Sequence, residues 1–206
     1  MRLTRYGHSC VLVEDGDARV LLDPGVFSAG FEELRGLTGV LVTHQHADHL
    51  DVARLTALLE ANPGAQLHCD EGSAAQLELP HVVVRDGDVL DLGTPVRVAG
   101  SQHAVIHPEL PRVPNVGYLV ADRFFTPGDA LTVPDAGVEV LGLPTAAPWL
   151  KLTEAVQLLR DVRPRLAFPV HDAVLAVPQV WYAHFGNLAP EGTRFAVVAP
   201  GEQVPT

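Results

Sequence analysis

Three histidines and an aspartate fall between positions 44 and 49, in Thr43-His44-Gln45-His46-Ala47-Asp48-His49-Leu50. Chance placement of His-x-His-x-Asp-His anywhere in a chain of this composition is roughly 2 in 1000. Imidazole nitrogens and carboxylate oxygens are the ligands that a borderline divalent ion such as zinc takes. The bland alternative, an accidentally His-rich turn, would leave several polar groups unpaired wherever it was desolvated. One tetrahedral ion has no use for four such groups on one turn plus further His and Asp downstream. Two adjacent ions do.

The elements around the cluster must position it. Gly39-Val40-Leu41-Val42-Thr43 is apolar and β-branched, and it predicts a buried strand. A helix follows, with Asp51 as N-cap and Val52, Leu55, Leu58 and Leu59 on one face, ended by Asn62-Pro63-Gly64. The cluster therefore sits on a strand-to-helix turn, where divergent side chains can converge beyond the strand's end.

Upstream, Leu3 to Tyr6, Ser9 to Glu14 and Ala18 to Asp23 read as strands. Downstream, Gln66 to Cys69 reads as a strand, Glu71 to Leu77 as a short helix and His81 to Arg85 as a strand. Asp88 to His103 reads as two strands broken at Gly93-Thr94-Pro95, before a proline-bearing loop. Asn115 to Ala121 and Arg123 to Thr126 form a hairpin pattern, and Val138 to Leu143 another strand. Lys151 to Val162 carries Leu152, Ala155, Val156 and Leu159 at helical spacing. Arg165 to Val170 and Arg194 to Val198 read as strands, Val177 to Phe185 as a helix, and Pro200 to Thr206 as a polar tail. No linker or repeat divides the 206 residues, so the pattern predicts a single mixed α/β domain over 1–206.

Composition narrows the function classes. Apolar residues make up 47% and charged ones 19%, an ordinary soluble balance. No apolar run is long enough to span a bilayer, and Met1-Arg2-Leu3-Thr4-Arg5 lacks a signal-peptide core. Cys10 and Cys69 form no metal or disulfide spacing and read as small buried hydrophobes. A cytoplasmic protein without membrane attachment is expected. The net charge is −11, with Lys151 the one lysine, and no basic stretch could neutralise a phosphate polymer. The expected partner is a small-molecule substrate, not nucleic acid; self-association is left open.

His-x-His-x-Asp-His on such a turn resembles the metallo-β-lactamase superfamily. Tyr6-Gly7-His8-Ser9-Cys10 resembles the early Gly-His-Ser/Ala signature of its ascorbate-6-phosphate lactonase-like group of small metal-dependent hydrolases. The likeness runs from Tyr6 to Asp172. It implies a four-layer αβ/βα sandwich: two mixed β-sheets face to face, helices on both outer faces, and the metals at one end.

The resemblance also implies roles for the remaining residues. Asp23, before Pro24-Gly25, matches the aspartate that orients ligating imidazoles from behind. His103 in Gly100-Ser101-Gln102-His103 and His171 in Pro169-Val170-His171-Asp172 match lone histidines at strand ends. Asp129 in Thr126-Pro127-Gly128-Asp129-Ala130 matches the carboxylate that bridges two metals. Relatives commonly carry Thr or Ser where this chain has Ala130. His44, His46 and His103 are thereby assigned to one ion, Asp48, His49 and His171 to the other, and Asp129 to both. Zinc is the foremost expectation, with manganese, iron and nickel also suited to nitrogen and oxygen ligands.

The chemistry implied is hydrolysis of a small anionic ester, lactone or phosphodiester by a metal-bridging hydroxide, with Asp48 as ligand and proton acceptor. His8 is placed against substrate or the metal shell, and His107 in the proline-bearing loop as a donor to a substrate oxyanion. Trp149, in Ala146-Ala147-Pro148-Trp149, reads as a core residue. His68, His81 and His184 read as structural. Specificity is expected from the loops Phe27–Leu37, His107–Asn115 and Pro144–Lys151. Two alternatives stand beside this reading. One is a non-catalytic module that keeps its metals. The other is a di-iron redox relative, whose usual cluster carboxylate and flavin domain this chain lacks, since it retains His46.

Overall fold

The computed structural model describes residues 1–206. The chain opens with three antiparallel strands, β1 (Arg2–Arg5), β2 (Val11–Asp15) and β3 (Ala18–Leu22), turned at Gly7 and at Asp15-Gly16-Asp17. Gly7 and Gly16 both take the positive φ that such tight turns need. Next come β4 (Gly39–Val42), α1 (Val52–Glu60), β5 (Gln66–Cys69), α2 (Glu71–Ala74) and β6 (Val82–Val83). These complete a six-stranded sheet in the order β1-β2-β3-β4-β5-β6, parallel from β3 onward.

The second sheet is built from β7 (Val89–Asp91), β8 (Pro95–Ala99), β9 (Gly117–Val120), β10 (Phe124–Thr126) and β11 (Val140–Pro144). α3 (Leu152–Val162), β12 (Leu166–Val170), α4 (Pro178–Leu188) and β13 (Arg194–Phe195) finish the chain. Its order is β13-β12-β11-β10-β9-β8-β7, antiparallel on the β7 side and parallel from β10 to β13.

Strand alternation sets the layers, because successive side chains point to opposite faces. Val11 and Val13 of β2 turn inward with Val20, Leu22 and Leu41, and meet Tyr118, Phe124 and Phe168 of the second sheet. Leu12, Leu21 and Val40 point the other way, onto Leu55 and Leu58 of α1. On the far side Leu119, Leu141 and Leu143 receive Ala155 and Leu159 of α3 and Phe185 of α4. The result is the expected order helix, sheet, sheet, helix. No helix is long and apolar enough to cross a membrane.

Several boundaries differ from expectation, each for a local reason. The second of the strands expected between Asp88 and His103 stops at Ala99, because Gly100 turns to φ +85° and its N–H goes to the Asp86 carboxylate at 2.8 Å. His103 is therefore a loop residue. The strand expected over His81 to Arg85 shrinks to two residues, with the Arg85 N–H bonded to Asp88 instead of to the sheet. The expected second helix stops at Ala74. The polar tail is not loose: Val204 is buried, its N–H donates to the Leu3 carbonyl at 2.9 Å, and Gln203 bridges to Thr4.

Candidate metal centre

β4 delivers the cluster as its spacing predicts. The strand ends at Val42, and the turn from Thr43 to Leu50 leads into α1, where the Asp51 carboxylate accepts the Arg54 N–H. The cradle beneath the turn leaves no space for a side chain. A Cβ on Gly25 would lie 1.9 Å from the Asp48 carbonyl oxygen, and Val26 donates its N–H to Ala47. Gly25 thus lets the loop after β3 press directly on the backbone that carries Asp48 and His49.

Asp23 lies behind the imidazoles, fully buried and held at φ +44°. Its Oδ1 accepts from the Thr43 N–H at 2.8 Å, and its Oδ2 accepts from the Thr43 hydroxyl at 2.9 Å and from His49 Nδ1 at 2.8 Å. His44 Nδ1 reaches the same hydroxyl at 3.1 Å. The structure thus puts Asp23 where the resemblance implies.

His103 Nδ1 donates to the Ala104 carbonyl and His171 Nδ1 to the Ala146 carbonyl, both at 2.6 Å. His49, His103 and His171 therefore each have an acceptor behind Nδ1, which fixes the tautomer with Nε2 facing inward, while His44 Nε2 lies 3.0 Å from His46 Nδ1. There the orphans collect. His49 Nε2, His103 Nε2, His171 Nε2 and Asp129 Oδ1 are buried without a hydrogen-bond partner. Buried polar atoms are rarely left so.

Two groups of side chains result, each with donor atoms close enough to share one ion: His44, His46, His103 and Asp129; and His8, Asp48, His49 and His171. Asp129 stands between them. Its Oδ1 lies 3.1 Å from His49 Nε2, and its Oδ2 3.4 Å from His103 Nε2 and 3.1 Å from His171 Nε2. All seven side chains expected as ligands converge, from four separate stretches of the chain. Their donor set, lone pairs and convergence fit a pair of divalent cations.

The electrostatics of the metal-free cluster agree. Burial opposes charge on His49, but the Asp129 and Asp23 carboxylates outweigh it and hold the imidazole well above its usual value. Burial likewise opposes charge on His171, which Asp129 and Asp48 nonetheless bring up to about 9. Asp129 is pulled the opposite way: burial would raise it, yet His49, His103 and His171 keep it well below the carboxylate range. Protons stand in for cations here.

His8 is buried at φ +45°, with Nε2 3.1 Å from Asp48 Oδ2 and its ring 4.2 Å from that of His171. Unlike the other imidazoles of the two groups, its Nδ1 is buried without a partner. Ligation through Nε2 would leave a buried N–H unpaired, whereas donation from Nε2 to Asp48 would not. His107 joins neither group. It is exposed, its Nδ1 accepts the Glu109 N–H at 3.2 Å, and it lines a cavity of about 310 Å³ that includes His46 and His103.

Trp149 is the buried residue that the sequence predicts, and it has a second role. Its Nε1 donates to Asp129 Oδ2 at 2.9 Å and its ring meets His103 edge-on at 5.8 Å. A lone tryptophan in sequence carries no sign of such a partner. Trp149→Phe keeps the packing and deletes the donor to a charged oxygen, an interaction worth ~1.5–3 kcal/mol. Turnover is expected to fall about tenfold and the thermal midpoint by roughly 3–12 °C, as steady-state assay and calorimetry would read.

Sequence reasoning also passed over Asn115. Fully buried, it accepts the Asp129 N–H at 2.9 Å and donates to the Pro127 carbonyl at 2.9 Å, clamping the loop that holds the shared carboxylate. Gly128 at φ +63° makes this possible, since a Cβ there would fall 2.4 Å from Asn115 Oδ1. The remaining histidines outside the loop and cluster, His68, His81 and His184, stay outside both groups.

The Beta-lactamase superfamily domain model matches residues 2–171. The chain belongs to the β-lactamase superfamily. Protein Rv0786c of Mycobacterium tuberculosis is 49% identical over 212 residues, covering 100% of both chains. A UPF0173 metal-dependent hydrolase of Nitratidesulfovibrio vulgaris is 34% identical over 58% of this chain and 53% of its own. In structure, the metallo-β-lactamase fold protein YhfI of Bacillus subtilis superposes with a TM-score of 0.74 at 15% identity, covering 98% of each chain. Igni18, a metallo hydrolase of Ignicoccus hospitalis, gives 0.71 at 17% identity over 98% of this chain and 97% of that one. Likeness at these identities shows the superfamily's shared fold, including its two mixed sheets.

Proposed function

We propose that this metal-dependent hydrolase of the β-lactamase superfamily works with two divalent ions and no protein nucleophile. His44, His46 and His103 would hold one ion and Asp48, His49 and His171 the other, with Asp129 available to both. The observation that carries this reading is the set of buried, unpartnered Nε2 and Oδ1 atoms aimed at one another. When bound, such a pair supplies an activated water at neutral pH and positive charge for the developing oxyanion.

The chain's own residues orient that chemistry. Asp23 and Thr43 lock the His44 and His49 tautomers, and Trp149 and Asn115 hold Asp129 in place. His8 Nε2 donates to Asp48 Oδ2 and leaves that carboxylate placed to take a proton from the attacking water. His107, on the cavity wall, would serve as donor to the substrate. Small esters, lactones and phosphodiesters are the substrate classes, as in the lactonase-like group that His8 and its neighbours resemble.

The test combines elemental analysis of protein purified without chelator with a panel of ester, lactone and phosphodiester substrates. Close to two equivalents of zinc, manganese, iron or nickel per chain are expected, with turnover on at least one class. A chain that binds less than one equivalent after metal reconstitution would sink the proposal. Full loading without turnover would point to the metal-retaining module instead.

A further inference from the structure

The segment from residue 100 to 116 joins β8 to β9 without regular structure. Connections longer than about 12–15 residues are uncommon in compact domains, and those kept usually have a task. The base of this one is pinned to the metal centre. The His103 N–H donates to the Val113 carbonyl at 3.0 Å, Arg112 Nε donates to the His103 carbonyl at 2.5 Å, and the Ala104 N–H donates to the Asp129 carbonyl at 2.8 Å. Pro108, Pro111 and Pro114 stiffen the rest, because each fixes its own φ.

The tip is apolar and open. Val105 and Leu110 are each 54% exposed, and Ile106 is 38% exposed. Together they wall the 310 Å³ cavity that also includes His46 and His103. In a chain of net charge −11 the cavity wall carries no carboxylate, and Arg112 is its one arginine. At the second group, Phe27 is 53% exposed and stands edge-on to the His8 ring at 5.3 Å. Apolar side chains so exposed, in a concave wall shared with two metal-ligating histidines, are best explained by a ligand that covers them.

We infer that the substrate carries a short alkyl or aryl substituent that enters the cavity between His46 and Leu110 while its scissile group lies at the metal-ligating side chains. The cavity is at the small end of ligand sites, about 300–1,000 Å³, so the substituent is short. This narrows the proposed function, on which it rests, to esters and lactones with an apolar acyl or alkyl arm.

The experiment measures binding without turnover. Acetohydroxamate and hexanohydroxamate present the same metal-seeking head with different tails. Their affinities are compared by calorimetry on zinc-loaded protein of measured metal content. Hexanohydroxamate is expected to bind at least about tenfold more tightly (~1.4 kcal/mol). In Leu110→Asp and, separately, Val105→Asp, exposed positions whose change spares the core, that ratio is expected to fall toward one. Equal affinities in the wild type, or a ratio preserved in both variants, would overturn the inference and assign the loop's apolar side chains to a partner surface. Failure of both hydroxamates to bind a fully loaded protein overturns it while leaving the metal centre standing. Absence of metal uptake overturns the two readings together.

Discussion

Asp129→Ala is expected to lower hydrolytic turnover on the order of 10³-fold, the scale on which loss of one preorganised charge-stabilising group is felt. Asp129 belongs to the first group and stands against the second, with one oxygen 3.1 Å from His49 Nε2 and the other 3.1 Å from His171 Nε2. In the proposed two-ion centre its removal would take a ligand from each ion at once. It also strips Trp149 Nε1 of its acceptor and His49 of a counter-charge. The variant is expected to fold, because the surrounding strands are held by the apolar interior that both sheets share. Steady-state kinetics, metal analysis and circular dichroism on the same preparation check each part. His46→Ala should lose comparable activity through the first group alone. Near-native turnover in either variant would remove the basis for a two-ion mechanism.

Chelation should produce the largest stability change. An ion present at 1,000 times its dissociation constant stabilises the folded state by about 4 kcal/mol. Two such ions, at ~2–4 °C per kcal/mol for a domain of this size, place the loss of thermal midpoint at roughly 15–30 °C.

The size of this loss should depend on pH in a direction set by the cluster. In the metal-free protein, burial opposes charge on His171, but Asp129 and Asp48 raise it from 6.5 to about 9, and His49 is raised likewise. A raised histidine contributes stability that is fully present below its unfolded value, 6.5, and is lost as pH climbs through its folded value. Asp48 and Asp129 are lowered, so their contribution is present above the ordinary carboxylate value of 3.8 and lost on acidification. The His49 and His171 contribution is therefore largest below pH 6.5, where His8, His44 and His46, all held below the usual imidazole value by burial, act against it. Metal binding runs the other way, since protons compete for the same lone pairs. The midpoint gap between loaded and chelated protein is expected to be wider at pH 9 than at pH 6. A gap that narrows toward pH 9 would mean that these imidazoles and carboxylates do not form the binding cluster.

Much of the protein was readable from its residues in order. The His44 to His49 turn between an apolar strand and a helix capped by Asp51 is local information: spacing, β-branching and a cap within a few residues of one another. The faces of single elements were readable for the same reason, from alternation along β2 or the apolar stripe of α3, whereas their stacking into helix, sheet, sheet and helix came from family likeness. Matching Asp23, His103, Asp129 and His171 needed family likeness, since a lone histidine or aspartate at a loop carries no spacing of its own.

Tertiary structure decided what distance along the chain conceals. Trp149 looks like any buried tryptophan until the loop after β11 turns its indole N–H onto Asp129, and Asn115 clamps that loop only because Gly128 leaves space for it. Strand β8 ends early because Gly100 gives its N–H to Asp86, far enough back to be invisible in the local pattern, and so His103 comes to sit on the loop that walls the cavity. Residue types and spacing determine which groups can bind a cation. Whether their lone pairs meet, and what surface stands beside them, depends on long-range backbone contacts and on tautomers fixed by carbonyls and carboxylates elsewhere in the chain.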